Sequence, residues 1–131
     1  MIIFSFLLII LISLVALRNT FTLALFGDDW LAFWRYLEVL GPGSVHGYNH
    51  LSYFLTLYGP QDILMGGILR PVFDFNSTLY YLLSYIFRLI AAFSLFPLIF
   101  YLTKSKLSAF FGCLFFSITI IGFETTNWVF N

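Results

Sequence analysis

The chain has 131 residues, of which 61% are hydrophobic and 9% charged, with a mean hydropathy of +0.97. A soluble domain carries about 25% charged residues, and twelve charged side chains are too few to build a water-facing surface. Six basic residues balance six acidic ones, so no polybasic attraction to nucleic acid or to anionic lipid is indicated. These values point to an all-α membrane protein whose 18 Phe, 8 Tyr and 3 Trp suit lipid contact and interfacial belts.

Met1 to Leu17 is an apolar run with no charge before Arg18. At 1.5 Å per residue it falls slightly short of a hydrocarbon core of about 30 Å. Phe21 to Phe26 is expected to complete a first span over residues 2–26. A secretory signal would need a basic n-region and a small-residue cleavage site. Neither is present, so an uncleaved helix is the expectation.

Gly27-Asp28-Asp29-Trp30 then breaks the apolar text. Either aspartate can cap a following helix, to which Leu31, Trp34, Leu37, Val39 and Leu40 give a partly apolar stripe. A helix lying in the membrane interface is expected here, stopped by Gly41-Pro42-Gly43-Ser44. From His46 to Asp74 the residues are mixed, and Gly59-Pro60-Gln61-Asp62 divides them. No half is long enough to span, so a long external loop over residues 27–78 with short interfacial helices is predicted.

Leu79 to Thr103 is the clearest span, and Leu107 to Phe123 the next, joined by the turn Lys104-Ser105-Lys106. The positive-inside rule puts that turn, and with it the N-terminus, in the cytoplasm. The reading is an integral multi-pass protein of a cell inner membrane or endomembrane. Arg18, Arg35 and Arg70 fall on the external side against the rule. Three spans, at about 2–26, 79–103 and 107–123, enclose little volume, so the chain is expected to form part of a larger bundle.

On this topology Asp28, Asp29 and Glu124 share the outer face. Two adjacent carboxylates at an interface repel, and such a group can act as general base toward a hydroxyl or hold a divalent cation. The alternative is an acidic pair that caps the Trp30 helix and marks the water boundary. Arg88 lies nine residues beyond Leu79, where a mid-span arginine costs about 2.5 to 3.5 kcal/mol. It is expected to face the bundle and pair with an acid or an anionic ligand. Arg70 sits before the span at headgroup depth.

Weaker signals carry little. His46 and His50 are four apart, but neighbouring glycines argue against the helix that metal ligation would need. No metal site is indicated. Asn76-Ser77-Thr78 matches the glycosylation pattern but abuts a span. Trp30, Trp34 and Trp128 read as interfacial anchors, and the single cysteine, Cys113, as a small core residue.

In order and placement, three short elements resemble the polytopic lipid-linked-sugar glycosyltransferases of the GT-C superfamily, especially the protein O-mannosyltransferase-like members. They are Phe26-Gly27-Asp28-Asp29-Trp30 after the first span, Leu69-Arg70-Pro71-Val72 before the second, and Phe123-Glu124-Thr125-Thr126-Asn127-Trp128-Val129 after the third. The resemblance implies that Asp28 or Asp29 is the catalytic base or metal-positioning acid, with Glu124 a second acid. It implies that Arg70 and Arg88 meet the phosphate of a polyprenyl-phosphate sugar donor. Family members have more spans than this chain shows, and some carry His or Asn where Arg88 stands. The competing expectations are a transporter or flippase part, with Arg88 and the acids along a pathway, and a structural membrane subunit without chemistry.

Overall fold

The computed structural model describes residues 2–25, 28–42, 44 and 49–119, except for the side chains of Ile2 and Asp28. Every regular element among them is helical. Helix α1 spans Ile2–Ala16, α2 Asp28–Leu40, α3 His50–Phe54, α4 Gly59–Asp62, α5 Arg70–Phe73, α6 Ser77–Thr103 and α7 Lys106–Ile118. A 3₁₀ turn occupies Arg18–Thr22, and a π-helical stretch, Ile63–Leu69, joins α4 to α5.

The expected first span is not one helix. Its α-helical part ends at Ala16, and the polar Arg18-Asn19-Thr20 begin a 3₁₀ turn that leads into extended backbone at Leu23. Thr22 Oγ1 donates to the Asn19 carbonyl at 2.8 Å, the local side-chain competition that draws such residues out of helix interiors. Among the described residues one helix, α6, is long and apolar enough to cross a membrane, while α1 and α7 are shorter apolar helices.

α6 runs antiparallel to both. Phe6 of α1 stacks on Phe93 and Phe96, with centroids 4.6 and 5.4 Å apart. Further along, Ser13 Oγ and Tyr85 Oη share a buried hydrogen bond of 2.8 Å. Beyond α1, Thr78 Oγ1 donates to the Phe21 carbonyl at 3.1 Å. On the other flank, a Cβ at Gly112 would lie 2.5 Å from Ile99 Cδ1, so the glycine lets α7 approach closely. Ser105 caps α7 by accepting the Ser108 N–H at 3.2 Å, and Lys104 makes the turn in a left-handed conformation at φ 54°.

Residues 28–42 and 49–74 form a layer of short helices at the end of the bundle where α6 starts. The predicted stripe of α2 does not face the core: Leu31, Trp34 and Leu37 are exposed, and the adjoining face buries Ala32 and Phe33 with Leu25, Met65, Leu69, Tyr80 and Tyr81. The expected helix after the acidic pair is present, and it ends before Gly41-Pro42. Two glycines let the π-helical stretch dock on α2. A Cβ at Gly66 would fall 2.4 Å from Tyr36 Cγ, and one at Gly67 3.0 Å from Cε2 of the same ring. π-helical turns favour positions where a functional or packing demand overrides regular helix.

Candidate functional site

The site is built where α2, α5 and the first turns of α6 meet. Asp29, in the first turn of α2, is 2% exposed, and Tyr80 and Tyr81 of α6 are fully buried. A carboxylate at a helix N-terminus is favoured by the helix dipole, which accounts for an acid at this end of an otherwise apolar contact face. The Asp29 carboxylate is within electrostatic reach of Tyr81, whose hydroxyl donates to the Ala24 carbonyl at 3.1 Å. The next residue, Trp30, donates from Nε1 to the Leu25 carbonyl at 2.7 Å. That bond ties the end of the first apolar segment to α2.

Arg70 contacts an aromatic cluster that includes Tyr80. Its guanidinium lies 5.2 Å from the centre of the Phe75 ring, a cation–π contact, and within electrostatic reach of Tyr80. Phe75 in turn packs on Trp30 and Phe33, at 5.4 and 5.6 Å, and Phe33 on Tyr80 at 5.7 Å. Asp29 and Arg70 thus act electrostatically on consecutive tyrosines of one helix, and Arg70 joins the aromatic plate of Trp30, Phe33, Phe75 and Tyr80 through Phe75. The chain reverses between α5 and α6 at Asp74, which has φ 51° and offers its carbonyl to the Tyr80 hydroxyl at 2.9 Å. Trp30 and Phe75 are half-exposed, so the plate has an open edge.

Arg88 is placed elsewhere. It lies twelve positions along α6 and is 8% exposed. Its Nε donates to the Ser117 carbonyl at 2.9 Å, and its Nη2 to the carbonyls of Thr119 and Phe116 at 2.7 and 3.2 Å. These are the C-terminal carbonyls of α7, which lack intrahelical partners and carry the negative end of the helix dipole. The Arg88 partners named here are backbone carbonyls, and Glu124 lies outside the described residues. The side chain of Asp28, together with Glu124, Trp128 and His46, lies outside the described residues. His50 is exposed and opens α3, and Asn76 is exposed before α6. Among the described residues no three His, Cys, Asp or Glu side chains gather as a metal-ligand set.

A second polar centre went unseen in the sequence. Asp62 is fully buried and accepts both donors of a bidentate arginine: Arg35 Nε at 2.9 Å and Nη2 at 2.8 Å. The Tyr53 hydroxyl donates to the same carboxylate at 2.5 Å. Arg35 also lies 4.5 Å from the centre of the Tyr58 ring. The hydrogen bond from Arg35 to Asp62 holds the guanidinium pKa above its ordinary value, against the opposing effect of burial. Burial, followed by donation to Asp62, pushes the Tyr53 phenol up to about 12. This clasp ties α2 to α3 and α4 and so fixes the layer in which Asp29 sits. The only sequence hint was an acid at Asp62 closing Gly59-Pro60-Gln61-Asp62, because a pairing 27 residues apart leaves no local pattern. No family model, curated protein or solved structure matches the chain.

Proposed function

We propose that this chain is the acid-bearing part of a multi-pass membrane glycosyltransferase. Such an enzyme moves a sugar from a polyprenyl-phosphate donor to an acceptor hydroxyl at the outer membrane face. The observation that carries the reading is the convergence of a buried acid, Asp29, and a cation, Arg70, on consecutive tyrosines at one end of α6. A membrane setting is supported by α6 itself and by the apolar side chains that α1 and α7 leave exposed. These include Ile3, Phe4, Leu7 and Leu11 on one helix and Leu107, Phe111 and Phe115 on the other. Apolar surface on that scale needs a lipid or protein covering.

In this reading Asp28 or Asp29 takes the proton of the acceptor hydroxyl as its oxygen attacks the sugar's anomeric carbon. The bond from that carbon to phosphate oxygen breaks, and the polyprenyl phosphate departs with the electron pair. Arg70 stabilises the charge developing on the leaving phosphate, and Glu124 is a second acid at the same face. The donor's lipid tail remains in the bilayer, which is why the reaction belongs at a membrane surface. In the full-length protein Asp28→Asn or Asp29→Asn is expected to abolish transfer while leaving membrane insertion intact. Wild-type transfer by both single variants removes the catalytic assignment.

Arg88 carries a second reading. Its donors are engaged on the α7 backbone, as suits a structural membrane subunit. On that reading Arg88→Leu abolishes co-purification with a partner, and no variant of the acidic pair changes any transfer reaction.

A further inference from the structure

We propose that the end of the bundle opposite the acidic layer binds one anionic phospholipid. One acyl chain lies between α1 and α7, and the phosphate sits on Lys106 and Lys104. The inference rests on the membrane reading above.

The groove is lined by Phe4, Ser5 and Leu8 of α1 and by Lys106, Leu107 and Phe110 of α7, and it holds about 410 Å³. That volume lies within the roughly 300–1,000 Å³ typical of small-ligand sites. Its walls are apolar along the helices, and its one charged lining residue stands at the first position of α7. An apolar slot with a cation at its mouth matches an acyl chain ending in a phosphate. Two further positive features belong to the same turn, although Lys104 does not line the groove. Lys104 is exposed, with its ammonium 4.4 Å from the centre of the Tyr101 ring, and the N-terminus of α7, a helix of thirteen residues, directs its dipole to the same place.

Charge segregation selects an anionic headgroup. α1 pairs its first half with the second half of α6, through Phe6 with Phe93 and Phe96. Residues 28–42 and 49–74, which carry Asp28, Asp29, Glu38, Asp62 and Asp74, therefore lie at the far end. Among the described residues the lysine end has no carboxylate to receive the ammonium of a zwitterionic lipid. On the positive-inside reading this end meets the cytoplasmic leaflet, where anionic lipid is concentrated.

The test is native mass spectrometry of the full chain released from nanodiscs of phosphatidylglycerol or of phosphatidylcholine, with flotation on vesicles of each lipid alongside. One retained phosphatidylglycerol is expected, and little phosphatidylcholine. Each of Lys104→Gln and Lys106→Gln should lower that retention about fivefold. Leu8→Trp, which fills the groove, should abolish it with helix content by circular dichroism unchanged. Were Leu8→Trp to unfold the chain, the two surface lysine variants decide the matter alone. Flotation with both lipids but equal retention of each, or retention unaltered by the lysine variants, overturns the lipid site and leaves the membrane reading standing. A dimer mass without bound lipid overturns the site in favour of a second copy of the chain. Failure to float with either vesicle overturns both readings.

Discussion

The Arg35–Asp62–Tyr53 clasp makes the sharpest stability prediction. Asp62→Asn keeps the shape of the side chain but removes the charge that faces a bidentate guanidinium. Asp62 is fully buried, whereas the Arg35 side chain is 21% exposed. Deleting one partner of a buried pair costs about 3 to 5 kcal/mol, and the water access of Arg35 puts this case at the lower end, about 3 kcal/mol. That is a factor of roughly 150 in an opening equilibrium. The loss should be local, because the clasp joins α2 to α3 and α4 and does not touch the α6–α7 contact. Hydrogen exchange read by mass spectrometry in detergent micelles should show protection in residues 49–62 falling by about two orders of magnitude, with α6 unaffected. Arg35→Met with Asp62→Leu should recover much of it, since well-packed apolar residues often replace a buried pair without loss. Protection in Asp62→Asn within twofold of the wild type would refute the assignment.

Three other outcomes follow from the geometry. The Tyr53 pKa is raised to about 12 from an ordinary value of 10, so the fold favours the neutral phenol. Its contribution to stability is complete below about pH 10 and is lost as pH rises to about 12; Tyr53→Phe should flatten the unfolding profile across that window. Gly66→Ala should destabilise by about 1 to 3 kcal/mol, because its Cβ would meet the inner atoms of the Tyr36 ring. Gly67→Ala, which meets the ring's outer atoms at 3.0 to 3.2 Å, should be near neutral; equal midpoints in thermal melts would contradict this. Arg88→Leu strips the end of α7 of its donors, and maleimide labelling of the buried Cys113 should accelerate tenfold or more. Unchanged labelling would show that α7 holds its end without Arg88.

The readable parts of the fold were those written in neighbouring residues. Asp28-Asp29 before an apolar stripe and Gly41-Pro42 after it bracket α2 within a residue, since caps and breakers act over a single turn. The long apolar run gave α6, and Lys104-Ser105-Lys106 the turn that follows. The end of α1 at Ala16 was harder to read, because Phe21 to Phe26 is apolar enough to continue a helix. What decides it is a polar triplet and Tyr81, whose hydroxyl takes the Ala24 carbonyl from 57 residues away. Arg88 shows a different limit. Its burial followed from its position, but the three partners described at the end of α7 are carbonyl groups, which every residue carries and no sequence distinguishes. The same holds for the site: Asp29 and Arg70 could be singled out as residue types, while the tyrosines between them looked like ordinary span aromatics.

The length of α6 has a consequence for where the proposed chemistry would take place. Its 27 residues measure about 40 Å, against a hydrocarbon thickness of about 30 Å. Mismatch of this size is relieved by tilting or by letting one end stand clear of the lipid tails. On the proposed membrane reading the Lys104–Lys106 turn would anchor one end at the surface, so an upright helix would raise its first two turns, with Tyr80 and Tyr81, into the headgroup layer. A thicker bilayer would draw those turns down and lower the aromatic plate toward the acyl chains. Membrane thickness would then set how deeply Asp29 and Arg70 ride, and a series of phosphatidylcholines of increasing chain length becomes a ruler for the position of the site.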